Sequence, residues 1–572
     1  MRNTFKGLAA SPGVAIGNAW LFIPQTPAVN QKTISEQEVE TEINAFRSAQ
    51  DKVEKHLQSL YDSVLEKQGK EEAEIFASHI ELLRDEEFEQ DTISLIQDEH
   101  YSATRAVKEY LDQVAANMRA LDDDYLKERA AEFEDLQNNL LLALNDLPFA
   151  SLGNAPENCI IFAEDLSPSE TAQLNPENVK GFVLAGGGLT SHVAILARNI
   201  GLPAIMGIHD ILSHVNNGGS VAMDGQSGEL ILNADQNAID YFKTKQEEQA
   251  RLNEEYAKLY DQTATTTDGV TIKLFSNIGS PKDLHLVEEN GSEGIGLFRS
   301  EFLFMSASSA PSEETQYQAY KKAVEHLGDK PVILRLADIG GDKPLDYLNF
   351  PKEENPFLGW RGVRIYDEMR HVFDAQIRAA LRAGVHGNLW VMVPMVSNVC
   401  ELEFVKTEIS KQVSALQKEG IPCAKNLKVG IMIETPAAAL IAPQLAKVAD
   451  FFSIGTNDLT QYTIAADRGN TKISNLYDSL HPAVLRLMKM AADAAHDANI
   501  DIGVCGEMAG QLEAIPFLVG MGFDELSISG KGVPAVKYRI RHLSAADCKA
   551  LLEKAITLNS GEEVRELLAQ TK

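Results

Sequence analysis

The sequence predicts a multidomain α/β protein: an α/β domain interrupted by an all-helical insert, followed by a C-terminal (β/α)8 barrel. Three observations carry that prediction. Short strand-like runs open the chain, stop near residue 22 and resume near residue 158. The intervening stretch is acidic, with apolar residues at helical spacing. From residue 262 onward, eight apolar, β-rich runs alternate with helical patterns. A chain of 572 residues also needs several cores, because a single core stops growing well below that length.

The opening GLAASPGVAIGNAWLF reads as two strands around a Ser11-Pro12-Gly13 turn. Ser35-Glu36-Gln37-Glu38 has the form of a capping box, and Val39, Ile43, Phe46, Val53, Leu57, Leu60 and Val64 follow along one helical face. Further helical patterns cover 70–100 and 103–144. Strand signals return with CIIFA, GFVLAG, SVAMDG and GELILN, so the first 22 residues and those after 146 are read as one domain. The stretch 235–261 is dense in charge and helix formers and contains neither Pro nor Gly, which suits a helical linker. The predicted division is 1–22 with 146–232, an insert at 23–145, a linker at 233–261 and a barrel at 262–572. The barrel runs are TIKLFSNI, GIGLFRS, PVILRLAD, LWVMVPMV, VGIMIET, FFSIGTND, DIGVCGE and ELSIS. Parallel strands buried on both faces are continuously apolar, as these are.

Composition narrows the function. A net charge of −31, from 52 basic and 83 acidic residues, repels nucleic acid and anionic membranes and favours basic partners. No signal peptide or membrane span is evident. Five cysteines without a CxxC pair argue against a disulfide framework and suit a reducing cytoplasm.

Polar residues cluster at the C-terminal ends of the barrel runs: Arg299, Arg335, Glu434, Asn457, Asp458 and Cys505. A barrel of this type builds its active site at that face. Arg361, Lys343 and Arg468 follow in adjoining loops. A single arginine at a strand end is more often a surface ion pair, and a single cysteine a small core residue. So many on one rim point instead to a small, multiply charged anion gripped by guanidinium forks. Glu434 and Asp458 would offer oxygen ligands to Mg²⁺, and hard oxygen donors accept Mn²⁺ as well.

A second constellation is LAGGGLTSHVAILARNIGLPAIMG. Gly186-Gly187-Gly188 permits close backbone approach, Thr190 and Ser191 add hydroxyls, and a helix starting at His192 favours negative charge at its N-terminus. That setting makes His192 a candidate nucleophile. His79 and His100, in charged helices, and His326, His371 and His496, at solvated helix positions, carry no such context.

These strings, with SPGVAIG, DLSPSET, GLFRSEFLFM, DIGGDK, NPFLGWR, DFFSIGTNDLTQYTIAADRGN, GVCGEMAG and DELSIS, resemble Enzyme I of the phosphoenolpyruvate-dependent sugar phosphotransferase system along essentially the full chain. The resemblance implies a swivelling phosphohistidine domain, a helical domain that binds the carrier protein HPr, and a phosphoenolpyruvate-binding barrel that dimerises. His192 would attack phosphorus and become a tele-phosphohistidine. Arg299, Arg335 and Lys343 would hold the phosphate, while Arg361, Arg468 and Asn457 would orient phosphate and carboxylate. Glu434 and Asp458 would bind Mg²⁺. Cys505 would protonate the enolate to release pyruvate. HPr would dock on the insert, where Glu71, Glu74, His79, Glu81 and Arg129 lie on candidate helices, and the 235–261 helix would act as the hinge.

The chain departs from the family pattern at Leu189, where arginine is usual, which would either weaken the phosphate contacts around His192 or shift them to Arg198. It departs again at Leu336, where threonine is usual near the phosphate, and at Phe133-Glu134-Asp135 in the carrier-docking stretch after Lys127-Glu128-Arg129-Ala130-Ala131. Related motifs in pyruvate phosphate dikinase come with a nucleotide-binding domain that this sequence lacks. The nitrogen-related branch, a regulatory relay, commonly has an N-terminal sensor domain; with Met1 so close to the first strand, none is expected here.

Overall fold

The computed structural model describes residues 3–570 apart from 24, 68–69, 121–123, 150, 189–190, 306, 308, 344, 346 and 471. The chain divides into two compact units, Met1–Arg251 and Leu252–Lys572.

The first unit is built on a sheet of β1 (Thr4–Lys6), β2 (Leu8–Ser11), β3 (Val14–Leu21), β4 (Cys159–Ala163), β5 (Val179–Leu184), β6 (Ala204–Met206), β7 (Ser220–Asp224) and β8 (Glu229–Leu232). Its order is β1-β8-β7-β3-β4-β5-β6-β2, so the opening residues do join strands from beyond the insert. Two strands do flank the Ser11-Pro12-Gly13 turn, β2 and β3, but they do not pair with each other. β2 pairs antiparallel with β6, and β3 lies between β7 and β4. The sheet curls until β1 and β2, separated by Gly7 alone, sit on opposite edges. A Cβ on Gly7 would lie 2.6 Å from Ile205 and 2.7 Å from the Met206 carbonyl oxygen, so the crossing requires glycine.

Between β3 and β4 run α1 (Val39–Lys67), α2 (Lys70–Leu83), α3 (Glu86–Asp98), α4 (Ala103–Ala120) and α5 (Asp124–Leu144). Ile43, Phe46, Val53, Leu57 and Val64 of α1 are buried, as the spacing predicts. The 70–100 pattern is broken at Asp85, whose carboxylate caps α3 by accepting from the Glu87 and Phe88 amides. Phe46 meets Phe88 edge-to-face at 5.8 Å. The Ser169 hydroxyl donates to Asp135 on α5. The departure at 133–135 therefore includes a residue turned toward the α/β domain. The first part of helix Gln236–Ala257 belongs to this unit: Phe242 is buried against Ala222 and Ala234, and Lys245 Nζ lies 2.8 Å from Asp224 Oδ2.

The second unit holds β9 (Ala264–Thr265), β10 (Thr271–Ile278), β11 (Ile295–Arg299), β12 (Val332–Arg335), β13 (Leu389–Val393), β14 (Lys428–Ile433), β15 (Phe451–Ile454), β16 (Asp501–Val504) and β17 (Glu525–Ser529). β10 to β17 are parallel neighbours in sequence order, and β10 pairs with both β11 and β17, closing the barrel. All eight runs read from the sequence are its strands. β9, antiparallel to the start of β10, is an addition that two residues could not announce. Alternate residues face the surrounding helices (Ile431, Ile433, Phe452, Ile454) or the lumen (Leu297, Ile333, Met392, Met432, Phe451). No helix among the described residues is long and apolar enough to cross a membrane.

Gly7→Val should cost about 1–3 kcal/mol through forced overpacking, despite the strand preference of valine. The check is the denaturant midpoint of the full chain, which should fall relative to the unsubstituted protein.

Candidate active site

Because every barrel strand runs in one direction, the residues ending them share a rim. Arg299 and Arg335 close β11 and β12 and are register partners. Glu434 follows β14, Asn457 and Asp458 lie in the first turn of helix Thr456–Ile464 after β15, and Cys505 follows β16. Lys343 and Arg361 come from the loop after β12 and are both bridged to Gly340.

The cations are organised by a carboxylate not included among the candidates. Asp338 is fully buried. Its Oδ1 accepts from Arg361 Nε at 2.9 Å, and its Oδ2 accepts from Arg361 Nη2 at 2.5 Å and Lys343 Nζ at 3.1 Å. Arg335 Nη1 is 3.9 Å away, and Nη2 lies 3.1 Å from Glu301 Oε1, which also accepts from the Asp338 amide at 2.8 Å. Burial alone would push Asp338 up. The charges of Lys343, Arg361 and Arg335 outweigh it and hold the carboxyl well below the usual range. Arg361, itself fully buried, is also paired with Asp342. Solvent reaches Arg299 on the rim, yet desolvation by its surroundings and the like charge of Arg335 lower its guanidinium.

Glu434 has the opposite environment. It is fully buried, and burial together with the Asp458 and Asp338 charges pushes it up to about 8. Its Oε1 accepts from the Met395 amide at 2.6 Å, which Met395 presents from a left-handed conformation (φ 59°). Its Oε2 has no hydrogen-bond partner, and neither has Asp458 Oδ1, which lies 3.6 Å from Arg468 Nη1. Asn457 and Glu507 are bonded reciprocally, at 3.2 and 3.1 Å. Cys505 is buried, its Sγ 3.6 Å from the Ile454 carbonyl oxygen, and burial lifts the thiol to about 12, so it stays protonated.

In the first unit, His192 is the first residue of helix His192–Ile200. Ser191 is its N-cap, with Oγ accepting from the Ala194 amide at 3.3 Å. Gly187 has φ 76°, and a Cβ on Gly188 would meet nothing within 4 Å, leaving the approach open. The His192 side chain, Leu189 and Thr190 lie outside the described residues. Arg198 stands in the last turn of this helix, its Nε bonded to the Ala194 carbonyl.

Three family profiles match in series: the N-terminal domain of phosphoenolpyruvate-utilising enzymes over 6–129, their mobile domain over 155–228 and their phosphoenolpyruvate-binding domain over 253–545. The phosphoenolpyruvate-protein phosphotransferase of Buchnera aphidicola subsp. Schizaphis graminum is 42% identical, across 98% of this chain and 99% of that protein. The protein of the same name from Priestia megaterium is 41% identical, across 100% and 99%. That from Haemophilus influenzae is 41% identical, across 99% and 98%. This chain belongs to the phosphoenolpyruvate-protein phosphotransferase family of enzymes.

For a phosphoenolpyruvate-protein phosphotransferase, the barrel mouth brings together Arg299, Arg335, Lys343, Arg361, Glu434, Asn457, Asp458, Arg468 and Cys505. The sequence reading missed Asp338, Glu301 and Met395, although Asp338 stands in DIGGDK and Glu301 in GLFRSEFLFM. The available signal for the first two was an acid shortly after the arginine that ends its strand, Glu301 after Arg299 and Asp338 after Arg335. Met395 has none, since its contribution is a backbone amide. Leu336 is buried in the apolar layer outside the strands rather than at the mouth. His79 is fully buried in the insert, so it is not part of a docking surface. Glu74 and Glu81 are exposed, while the side chains of Glu71 and residues 127–131 lie outside the described residues.

No group of three metal-ligating side chains occurs among the described residues. The oxygens of Glu434 and Asp458 that accept no hydrogen bond nonetheless suit Mg²⁺, which keeps few protein ligands and draws the rest from substrate and water. In metal-free buffer Glu434 is a burden. Its carboxyl moves up from the ordinary 4.5 to about 8 on folding, so the native state binds more protons, and stability falls as pH rises through that window. Glu434→Gln should therefore raise Tm relative to wild type, with a gain that grows to a few degrees between about pH 5 and about pH 8, measured by calorimetry with chelator present.

Proposed function

We propose that this chain transfers the phosphoryl group of phosphoenolpyruvate to His192, releases pyruvate, and passes the phosphoryl group to the histidine of an HPr-type carrier, the first step of a sugar phosphotransferase system. The supporting observation is the barrel mouth: arginine and lysine side chains gathered on one rim beside two buried carboxylate oxygens that accept no hydrogen bond and a thiol held protonated. An enol phosphate carrying a carboxylate and a phosphate matches that charge pattern, and membership of the phosphoenolpyruvate-protein phosphotransferases supports the same substrate.

In this reading Arg299, Arg335 and Lys343 hold the phosphate, and Arg361, Arg468 and Asn457 orient the substrate. An unprotonated imidazole nitrogen of His192 forms the N–P bond as the P–O bond to the enol oxygen breaks. Cys505 then gives its proton to the enolate carbon, yielding pyruvate and a thiolate. Glu434 and Asp458 would hold Mg²⁺ (or Mn²⁺), which supplies positive charge against the phosphate oxygens. The chain's own residues contribute position and charge prepared in advance.

Residues 1–22 and 146–232 are assigned to the phosphohistidine domain, 23–145 to HPr docking, 233–261 to the linker and 262–572 to phosphoenolpyruvate binding and homodimerisation, in a cytoplasmic protein. The acidic insert suits a carrier with a basic rim and a fast, salt-sensitive encounter.

Intact-mass measurement after mixing with phosphoenolpyruvate and Mg²⁺, without nucleotide, tests the first step. One acid-labile phosphate should appear on the wild type and be absent from His192→Ala. An unmodified wild type would overturn the reading. In the same assay chelator should abolish labelling, and Asp458→Asn should slow it by about 10²-fold or more; wild-type labelling by that variant would remove Asp458 from the site.

A further inference from the structure

One buried carboxyl of the barrel has no part in the reading above. Glu525 opens β17, and since Leu526 and Ile528 belong to the layer under the helices, Glu525 and Ser527 face the lumen. Glu525 is 7% exposed, and its Oε1 accepts from the Ser527 hydroxyl. The lumen is shaped around this pair. A Cβ on Gly503 would lie 1.9 Å from Glu525 Oε2, and one on Gly296 would lie 2.5 Å from Glu525 Oε1 and 1.6 Å from Ser527 Oγ. Two strands thus give up a lumen side chain where this carboxyl sits, on a level that also carries the buried Ser453, the register partner of Gly503 and a hydrogen-bond neighbour of the Cys505 thiol.

The register connects the pair to Cys505. Gly503 is the partner of Glu525, and Val504 of Leu526; the next step along the two strands sets Cys505 beside Ser527. Asn277 on β10 marks the same level, donating to the Cys505 carbonyl at 3.0 Å and the Ser527 carbonyl at 3.2 Å. Glu525 therefore lies one lumen step below Ser527, and Cys505 stands on the neighbouring strand end at the level of Ser527. Burial pushes Glu525 up to about 8, against the hydrogen bond from Ser527, with Asp524 and Lys273 the charges bearing on it, so it carries a proton at neutral pH.

The proton-donor role creates a need that this arrangement meets. Once Cys505 has protonated the enolate carbon it is a thiolate, and at 2% exposure among Leu297, Ile333, Met392, Met432 and Phe451 it has little access to water. We propose that Glu525 and Ser527 form a proton relay that reloads Cys505 from within the barrel. The Ser527 hydroxyl turns from Glu525 Oε1 toward sulfur, its O–H bond breaks as S–H forms, the Glu525 O–H bond breaks as its proton passes to the Ser527 oxygen, and the Glu525 carboxylate then takes a proton from solvent. This inference rests on Cys505 as the donor. Glu525 and Ser527 act through Cys505 and touch no substrate.

Two isotope exchanges on the full-length protein with Mg²⁺ separate the relay from packing. Exchange of ¹³C-pyruvate into phosphoenolpyruvate needs the thiol proton only to shuttle between Cys505 and carbon. Deuterium from solvent D₂O at C3 of phosphoenolpyruvate needs Cys505 to trade protons with solvent. Glu525→Gln should lower deuterium incorporation per carbon exchange by about tenfold or more, and Ser527→Ala should do the same, giving a second route should the first variant fail to fold. A wild-type ratio in both variants, even with both exchanges slowed together, would overturn the relay. Cys505→Ala is the separate control: unchanged carbon exchange there would remove Cys505 as donor, whatever the other variants do.

Discussion

The barrel mouth depends on the carboxylate of Asp338. Arg335, Lys343 and Arg361 converge on one small volume, and three cations brought together without compensation would repel one another and lose hydration. Asp338 offers both oxygens to this group from a fully buried position, and Glu301 takes the remaining face of Arg335 while accepting the Asp338 amide. The attraction in a low-dielectric setting exceeds the cost of burying the carboxyl, as its depressed proton affinity reports. The cations are thereby held in place before any ligand arrives, the kind of advance organisation that makes electrostatic binding of a phosphate effective.

Two further carboxylates on the rim lie outside that ion-pair cluster. Glu434 and Asp458 each keep a buried oxygen without a hydrogen-bond partner, and Glu434 is fixed by an amide that Met395 supplies from a strained conformation. Buried acceptors without partners cost stability, and the site accepts that cost where a cation would remove it. One rim thus sets cations braced by Asp338 and Glu301 beside carboxylates whose buried oxygens accept no hydrogen bond, a division of charge suited to a metal-bound phosphate.

The lumen below completes the design. Apolar residues fill much of it as in any barrel of this class, but Gly296 and Gly503 make room for Glu525 below the level of the thiol and for Ser527 at it. The first unit solves a different problem: its sheet curls so far that Gly7 alone separates strands on opposite edges, and the helix after β8 is anchored to it through Phe242 and Lys245.

The eight barrel strands were legible because strands buried on both faces are written as continuous apolar runs, and the helical insert because its periodicity is local. The rim residues were legible too, since a side chain that ends an apolar run must lie at the strand end. Long-range pairing was not legible. Nothing near Pro12 says that β2 and β3 belong on different strands' flanks, because that choice is made by β4 to β8, far along the chain. His79 lies in a charged helix and was a candidate for the docking surface, yet it is fully buried in the insert. The gathering of Arg335, Lys343 and Arg361 on Asp338, and the seating of Glu525 against Gly503, were decided by the closed barrel alone: it fixes the register that brings together side chains whose local sequence carries no mark of the meeting.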